Sequence, residues 1–221
     1  VISSRKLDQC EETAAEINAA CGEERAIAIA CNIGYKEQLQ ALVDETRKRL
    51  GPIDTLIANA GVNPFYGPMS EIPDEAFDKT MNSNLRSNHW LCQMVASDML
   101  AKGRGAIMIT ASVGAFGPSE TLGTYNISKM ADIALVRNLA MEWGPKGIRV
   151  NALCPGLIRT DFAKALWDNP EAAQRVTEQT PLRRFGEADD FKGIAVFVAS
   201  DASAYVTGQA LTVCGGTHMF R

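Results

Sequence analysis

The chain has 221 residues, 46% of them hydrophobic and 22% charged, and a formal net charge of −4. This is the composition of a soluble globular domain long enough to bury a substantial core. The slightly acidic balance gives no electrostatic reason to expect nucleic acid or an anionic membrane as a partner, and no apolar run reaches bilayer-spanning length.

Strand and helix signals alternate along the chain. "VISS" (1–4) reads as the end of a strand and 6–20 as a helix, followed by the strand "RAIAIA" (25–30). A helix over 36–50 turns Leu39, Leu42, Val43 and Leu50 inward, and "DTLIANAG" (54–61) is a buried strand running into a glycine turn. One long helix is expected over 74–102, then the strand "GAIMIT" (105–110). A helix over 123–144 follows, with Ala131, Leu135, Leu139 and Trp143 as its apolar stripe. In "GIRVNAL" (147–153), Ile148, Val150 and Ala152 alternate as in a strand. A mixed apolar and charged insertion (156–186), a helix at 189–199 and the strand "ALTVCGG" (210–216) complete the chain. This order implies an α/β fold, a doubly wound, mostly parallel, Rossmann-like sheet in a single domain over 1–221. No repeat or linker divides it.

The cysteines at 10, 21, 31, 92, 154 and 214 contain no C-x-x-C pair, so neither a disulfide framework nor a zinc site is indicated. A reduced, cytoplasmic compartment is expected, and "VISSRKLDQCEE" lacks the pattern of a signal peptide. His89 and His218 are the only histidines, which leaves histidine-based metal or triad chemistry poorly supported, and no metal site is expected.

Ligands of such sheets bind beyond the carboxyl ends of the strands. Three segments fall there: Asn59-Ala60-Gly61, Thr110-Ala111-Ser112 and Pro155-Gly156-Leu157-Ile158-Arg159-Thr160. Taken singly they read as a turn glycine, a serine cap and a Pro-Gly turn. Their placement at one edge of one sheet points to a site. Tyr125 and Lys129 stand four residues apart, so on a helix the phenol and the ammonium address one small volume.

The ordered set Asn59-Ala60-Gly61, Ser112, Tyr125-x-x-x-Lys129 and Pro155-Gly156 with Thr160 resembles the short-chain dehydrogenase/reductase family. The resemblance covers essentially the whole chain, down to "PLRRFGEADD" (181–190) and "TGQALTVCGG" (207–216). It implies Tyr125 as general acid/base, Lys129 as the holder of the cofactor ribose, Ser112 as the group positioning the substrate oxygen and Asn84 as the support of a proton-relay water. Asn82 competes for the last role, but Asn84 followed by Leu85 fits the family pattern better. A free phenol titrates near 10, so a base at neutrality needs its anion stabilised, here by the neighbouring ammonium and the nicotinamide charge.

The resemblance also implies the cofactor contacts. Pro155, Gly156, Ile158 and Thr160 line the nicotinamide end, and Asn59, Ala60 and Gly61 pass the adenine ribose. Asn32, with Ile33, stands where the family often has an aspartate contacting adenine. Ser4 takes the place of the acid that reads an NAD ribose, followed by Arg5, whose two donors match a 2′-phosphate. NADP(H) rather than NAD(H) is therefore expected. The family's glycine-rich loop T-G-x-x-x-G-x-G is not found in these residues, and an additional amino-terminal strand with a glycine-rich turn is expected in the biological protein. Without it, strands 1–4 and 25–30 should be displaced, poorly ordered, or paired directly beside "DTLIAN".

The expected activity is hydride transfer between NADP(H) and a small carbonyl or secondary alcohol, in the manner of carbonyl and 3-oxoacyl reductases. The alternative is a non-catalytic family member acting as a scaffold. Phe65, Tyr66, Phe162, Leu166 and Trp167 are candidates for an apolar substrate pocket, with core or interface as the other reading. A homo-oligomer, a tetramer by resemblance, is expected to form through the helices at 74–102 and 123–144.

Overall fold

Four parallel strands form the sheet, in the order β1 (Thr55–Ala58), β2 (Gly105–Thr110), β3 (Ile148–Pro155) and β4 (Ala210–Val213). The computed structural model describes residues 1–219, apart from the side chains of residues 165, 166 and 172. Leu56 lies opposite Ile107, Ile107 opposite Val150, and Ala152 opposite Ala210. Parallel neighbours need long crossovers, and helices supply them. α1 (Leu7–Cys21) and α2 (Lys36–Leu50) precede β1; α3 (Asp74–Met81) and α4 (Ser87–Lys102) join β1 to β2. α5 (Gly123–Trp143) joins β2 to β3, while α6 (Lys164–Trp167), α7 (Pro170–Gln179) and α8 (Lys192–Ala199) lie between β3 and β4.

Alternation along the strands gives the sheet two apolar faces. Ile107, Ile109, Val150 and Ala152 enter the larger core against Cys92, Val95 and Met99 of α4 and Ile133, Val136 and Leu139 of α5. Met108 and Leu153 face the other way, onto Val198, Ile194 and Phe197 of α8. Each fully buried aliphatic side chain contributes roughly 1.5–3 kcal/mol by leaving water. The layers are thus the expected ones: one α/β domain with helices on both faces of a parallel, Rossmann-like sheet. At the turn into β3, Gly147 has φ 81°, and a side chain there would collide with the Gly103 carbonyl.

Three expectations are corrected. Residues 1–4 and 25–30 are not strands of the main sheet. They meet in one parallel bridge, Ile2 against Ala28, with Ile2 N–H donating to Ile27 O at 2.9 Å and Cys31 N–H to Ser4 O at 2.9 Å. A short pair without a third neighbour cannot build a regular ladder. It is not bonded to β1 either, whose outer edge has no strand partner among the described residues and whose Ile57 is 47% exposed.

The helix expected over 74–102 is interrupted by a π turn at Asn82–Arg86. The third correction concerns α5: Leu139 and Trp143 are buried as expected, but Ala131 and Leu135 are only half-buried, and the inward face also carries Lys129, Asp132, Ile133, Val136 and Ala140. The apolar period missed the amino-terminal half of the stripe because two of its buried members, Lys129 and Asp132, are charged.

Candidate active site

β2 delivers Ser112 to the carboxyl edge of the sheet, where extended backbone ends the strand and a single 3-10 turn, Val113–Phe116, begins. The Ser112 hydroxyl caps that turn, accepting from the Gly114 N–H at 3.1 Å. Gly114 permits a close approach of α5, since a Cβ there would lie 2.5 Å from Asn126 Oδ1. The first turn of α5 is thereby held against Ser112, whose side chain acts on the Tyr125 phenol and favours its ionised form. Phe162 flanks the phenol on the other side, with ring centroids 6.0 Å apart.

One turn further along α5, Lys129 is almost wholly buried. Its Nζ donates to the Thr110 carbonyl at 2.7 Å and to Asp132 Oδ2 at 3.2 Å. An ammonium has three donors, so one remains for a ligand. The space above it is open. A Cβ at Gly61 would sit 3.5 Å from Lys129 Nζ and 3.5 Å from Asn84 Oδ1, and Gly61 carries none. Asn59, Ala60 and Gly61 are all exposed along this rim, with Asn59 Oδ1 accepting from Thr110 Oγ1 at 2.9 Å.

Asn84 is fully buried in the π turn, whereas Asn82 is not. Such turns widen a helix by one residue and are common at functional sites. Here the turn lets Asn84 latch three elements together. Its Oδ1 accepts from Val62 N–H at 2.8 Å, and its Nδ2 donates to Val62 O at 3.0 Å and to Ser128 Oγ at 3.0 Å. Ser128 in turn donates to the Tyr125 carbonyl at 2.7 Å. The loop after β1, the π turn and α5 are therefore one hydrogen-bonded unit.

The electrostatics depart from expectation. Burial pushes the Tyr125 hydroxyl above its ordinary range; Ser112 opposes this and Asp132 adds to it. Lys129 Nζ lies 5.9 Å from the centre of the Tyr125 ring. The Asp132 carboxyl is also raised, by burial first, with Lys129 and Asn88 pulling it back. Sequence reading missed Asp132, Asn88 and Ser128. The available signal was position: Asp132 follows Lys129 by three residues on the same inward stripe.

The remaining expected residues divide between the site's rim and the amino end. Pro155 ends β3, and Gly156 N–H donates to Val213 O at 3.0 Å, with a Cβ at Gly156 falling 2.8 Å from Cys214 Cα. Ile158 pairs with Gly186 in a parallel bridge, and exposed Thr160 accepts through its carbonyl from Trp167 Nε1 at 2.8 Å. Ser4 receives the Lys6 N–H at 3.1 Å and the Cys10 thiol at 3.2 Å, which makes it the local cap ahead of α1. Arg5 beside it is exposed and makes no ion pair among the described residues. Asn32 Oδ1 accepts from Gly34 N–H at 3.1 Å, and Ile33 is half-buried.

Of the apolar candidates, Phe162 is the one in contact with Tyr125, while Trp167 lies over Arg159 and Phe65 against Gly67. Tyr66 is 66% exposed, and the Leu166 side chain lies outside the described residues. Among the described residues no cluster could hold a metal ion, and no helix is long and apolar enough to cross a membrane. A cleft of about 300 Å³ lined by Asp54, Arg104, Arg149 and Asp201 opens at the opposite, amino edge of the strands, away from all these groups.

The chain is similar to known proteins along nearly its whole length. Residues 1–218 match the family model described as enoyl-(acyl carrier protein) reductase. The human dehydrogenase/reductase SDR family member 4 is 37% identical over 218 residues, covering 98% of this chain and 77% of that protein. A gluconate 5-dehydrogenase from Burkholderia cenocepacia, solved with NADP and tartrate, superposes with a TM-score of 0.91 at 30% identity, covering 98% of this chain and 84% of the other. A 7α-hydroxysteroid dehydrogenase solved with NADH and 7-oxo glycochenodeoxycholic acid gives 0.90 at 35% identity, covering 97% and 82%. Family model, relatives and folds all point the same way, and the chain belongs to the short-chain dehydrogenase/reductase family of oxidoreductases.

Proposed function

We propose that this protein is an NADP(H)-dependent oxidoreductase that interconverts a small carbonyl compound and its secondary alcohol. The observation carrying this reading is the convergence of a half-buried Tyr125, on which Ser112 acts, with a buried Lys129 that has one donor left after Thr110 and Asp132. The nicotinamide cofactor supplies the hydride when bound. The chemistry of the donor set fits its ribose end, with Lys129 Nζ facing the gap kept open by Gly61.

In this reading Ser112 aligns the substrate oxygen and stabilises charge developing on it. Tyr125 donates its proton to that oxygen during reduction and takes it back during oxidation. Asn84 holds the loop after β1 against α5, keeping the ribose side of the groove in register with Tyr125. Phe162, 62% exposed beside the phenol, gives the substrate an apolar wall and limits water access.

Preference for NADP(H) rests on Ser4 and Arg5. A hydroxyl in place of a carboxylate removes repulsion of a 2′-phosphate, and the exposed Arg5 guanidinium, with no ion pair among the described residues, is available to bind it. Asn32 and Ile33 are assigned to the adenine side, and Pro155, Gly156, Ile158 and Thr160 to the nicotinamide side. The six unpaired thiols agree with a cytoplasmic setting.

NADPH consumption measured across a panel of small ketones tests the activity; no turnover with any ketone, together with no cofactor binding, would favour a scaffold instead. A homotetramer is also proposed. Exposed Ile127, Met130 and Met141 on α5 are available for packing, and a monomer mass by light scattering at micromolar concentration refutes it.

A further inference from the structure

Asn126 follows Tyr125 on α5 and carries a buried carboxamide, 9% exposed. Its nitrogen and oxygen do different things. Nδ2 donates to the Gly117 carbonyl at 3.1 Å. Oδ1 makes no hydrogen bond among the described residues and lies against Gly114, where a Cβ would come within 2.5 Å of it. The same Cβ would lie 3.4 Å from Ser112 Oγ, and the Gly114 N–H donates to that hydroxyl at 3.1 Å. Gly114 is thus packed between the two side chains. Ser112 and Gly117 are the two caps of the 3-10 turn Val113–Phe116, so the carboxamide grips the turn near both of its ends.

A buried amide oxygen without a partner opposes folding, and an aliphatic side chain of similar size would carry no such cost. Nor is the amide needed to start the helix. Ser119 Oγ already accepts the N–H groups of Thr121 at 3.3 Å and Leu122 at 3.0 Å, and Asn126 N–H donates to the Leu122 carbonyl at 2.9 Å. What the carboxamide adds is a link to the turn that carries Ser112.

We propose that Asn126 is a positioning residue whose carboxamide clasps the Ser112 turn to α5 and so sets the spacing between the Ser112 hydroxyl and the Tyr125 phenol. The inference rests on the reading of those two groups as the pair that acts on the substrate oxygen. β2 delivers one and α5 the other, and the loop between them is exposed at Gly117, Pro118 and Glu120. Asn126 reaches back across that loop to its first residue. Two groups that must meet one oxygen tolerate little drift, since a misplacement of about 1 Å can cost on the order of 10²-fold in rate. Lys129 and Asn84 are held by other partners, Thr110 and Asp132 for the first and Val62 and Ser128 for the second. The ribose side therefore does not depend on the clasp.

The ionisation of Tyr125 reports the spacing. Burial raises it, Ser112 opposes the rise and Asp132 adds to it, with Lys129 Nζ 5.9 Å from the ring centre. Asn126→Ala and Asn126→Leu leave every charge in place, so they move the phenol's midpoint by moving Ser112. The test is a titration of the full chain carrying 13Cζ-labelled tyrosine, read by NMR and independent of turnover. The chain has four tyrosines, and the signal lost in Tyr125→Phe identifies residue 125. Ser112→Ala should raise the midpoint, and each Asn126 variant should raise it too. Asn126→Leu added to Ser112→Ala should raise it no further, because the second change acts through the first. Arg47→Met, which removes a distant ion pair with Asp98, should leave it unmoved. With NADPH and the panel of small ketones, kcat of the Asn126 variants should fall on the order of 10–100-fold, with KM for NADPH within about threefold.

An unmoved or lowered midpoint in either Asn126 variant that folds overturns the proposal. So do additive shifts in the double variant, a shift in Arg47→Met equal to theirs, or a raised KM for NADPH at unchanged kcat. Should Tyr125→Phe retain turnover while the midpoints move as expected, the functional reading fails and the clasp stands.

Discussion

Replacing Tyr125 with phenylalanine isolates the proton-transfer role from everything else the side chain does. The ring stays, and with it the contact to Phe162 at 6.0 Å between centroids. Lys129 keeps its bonds to Thr110 and Asp132, neither of which involves the phenol. The substitution therefore removes one hydroxyl and its interaction with Ser112, leaving the ribose-facing ammonium in place. Loss of a positioned acid/base costs on the order of 10²–10⁴ in rate, equivalent to about 3–5 kcal/mol of transition-state stabilisation. Steady-state kcat should fall by that factor, while NADPH affinity from fluorescence titration stays within about threefold. A variant with near-parental kcat refutes the assignment. A large loss of cofactor affinity at unchanged kcat refutes the argument that Lys129 holds the ribose without help from the phenol.

Ser4→Asp combined with Arg5→Ala should weaken NADPH binding and improve NADH relative to it, because the pair replaces a phosphate-accepting corner with a carboxylate. An unchanged ratio of kcat/KM for the two cofactors shows that Arg5 does not read the phosphate. On the far side of α4, burial raises the Asp98 carboxyl, but Arg47, the Ile53 N–H and Lys102 outweigh it and hold the group below its ordinary value. A depressed carboxylate contributes stability above its unfolded-state range and loses it as pH falls through the folded value. Urea midpoints should therefore fall below about pH 4, and Arg47→Met should flatten that dependence while costing about 1–3 kcal/mol at neutral pH. Parallel pH curves for the two proteins would count against the bond.

The four strands of the sheet were legible because each is a short apolar run bounded by turn residues, as in "GAIMIT" between Arg104 and Ala111. The first two runs look the same in sequence, yet Ile2 and Ala28 meet in one bridge only. Strand propensity expresses itself only where a neighbouring ladder exists. The outer edge of β1 offers none to them, so the same β-branched composition that makes β2 a strand leaves 25–30 without a regular ladder. The π turn at Asn82–Arg86 was invisible for a different reason. Asn82, Ser83 and Asn84 are compatible with a helix that simply continues, and the widening is imposed by partners remote in sequence, Val62 and Ser128.

Site residues divide along the same physical line. Ser112, Tyr125 and Lys129 were readable because each chemistry needs a particular residue at a particular spacing, and local helix geometry delivers that spacing. Asp132 has no such signature. In sequence it is one acid on an otherwise apolar helix, and acids on helices usually face water. Only α4, arriving with Asn88 at 2.9 Å and closing the pocket over the carboxylate, turns it into a buried charge with two fixed partners. The surroundings of Asp132 are thus set by the element that excludes solvent from it, which composition and periodicity on α5 do not encode.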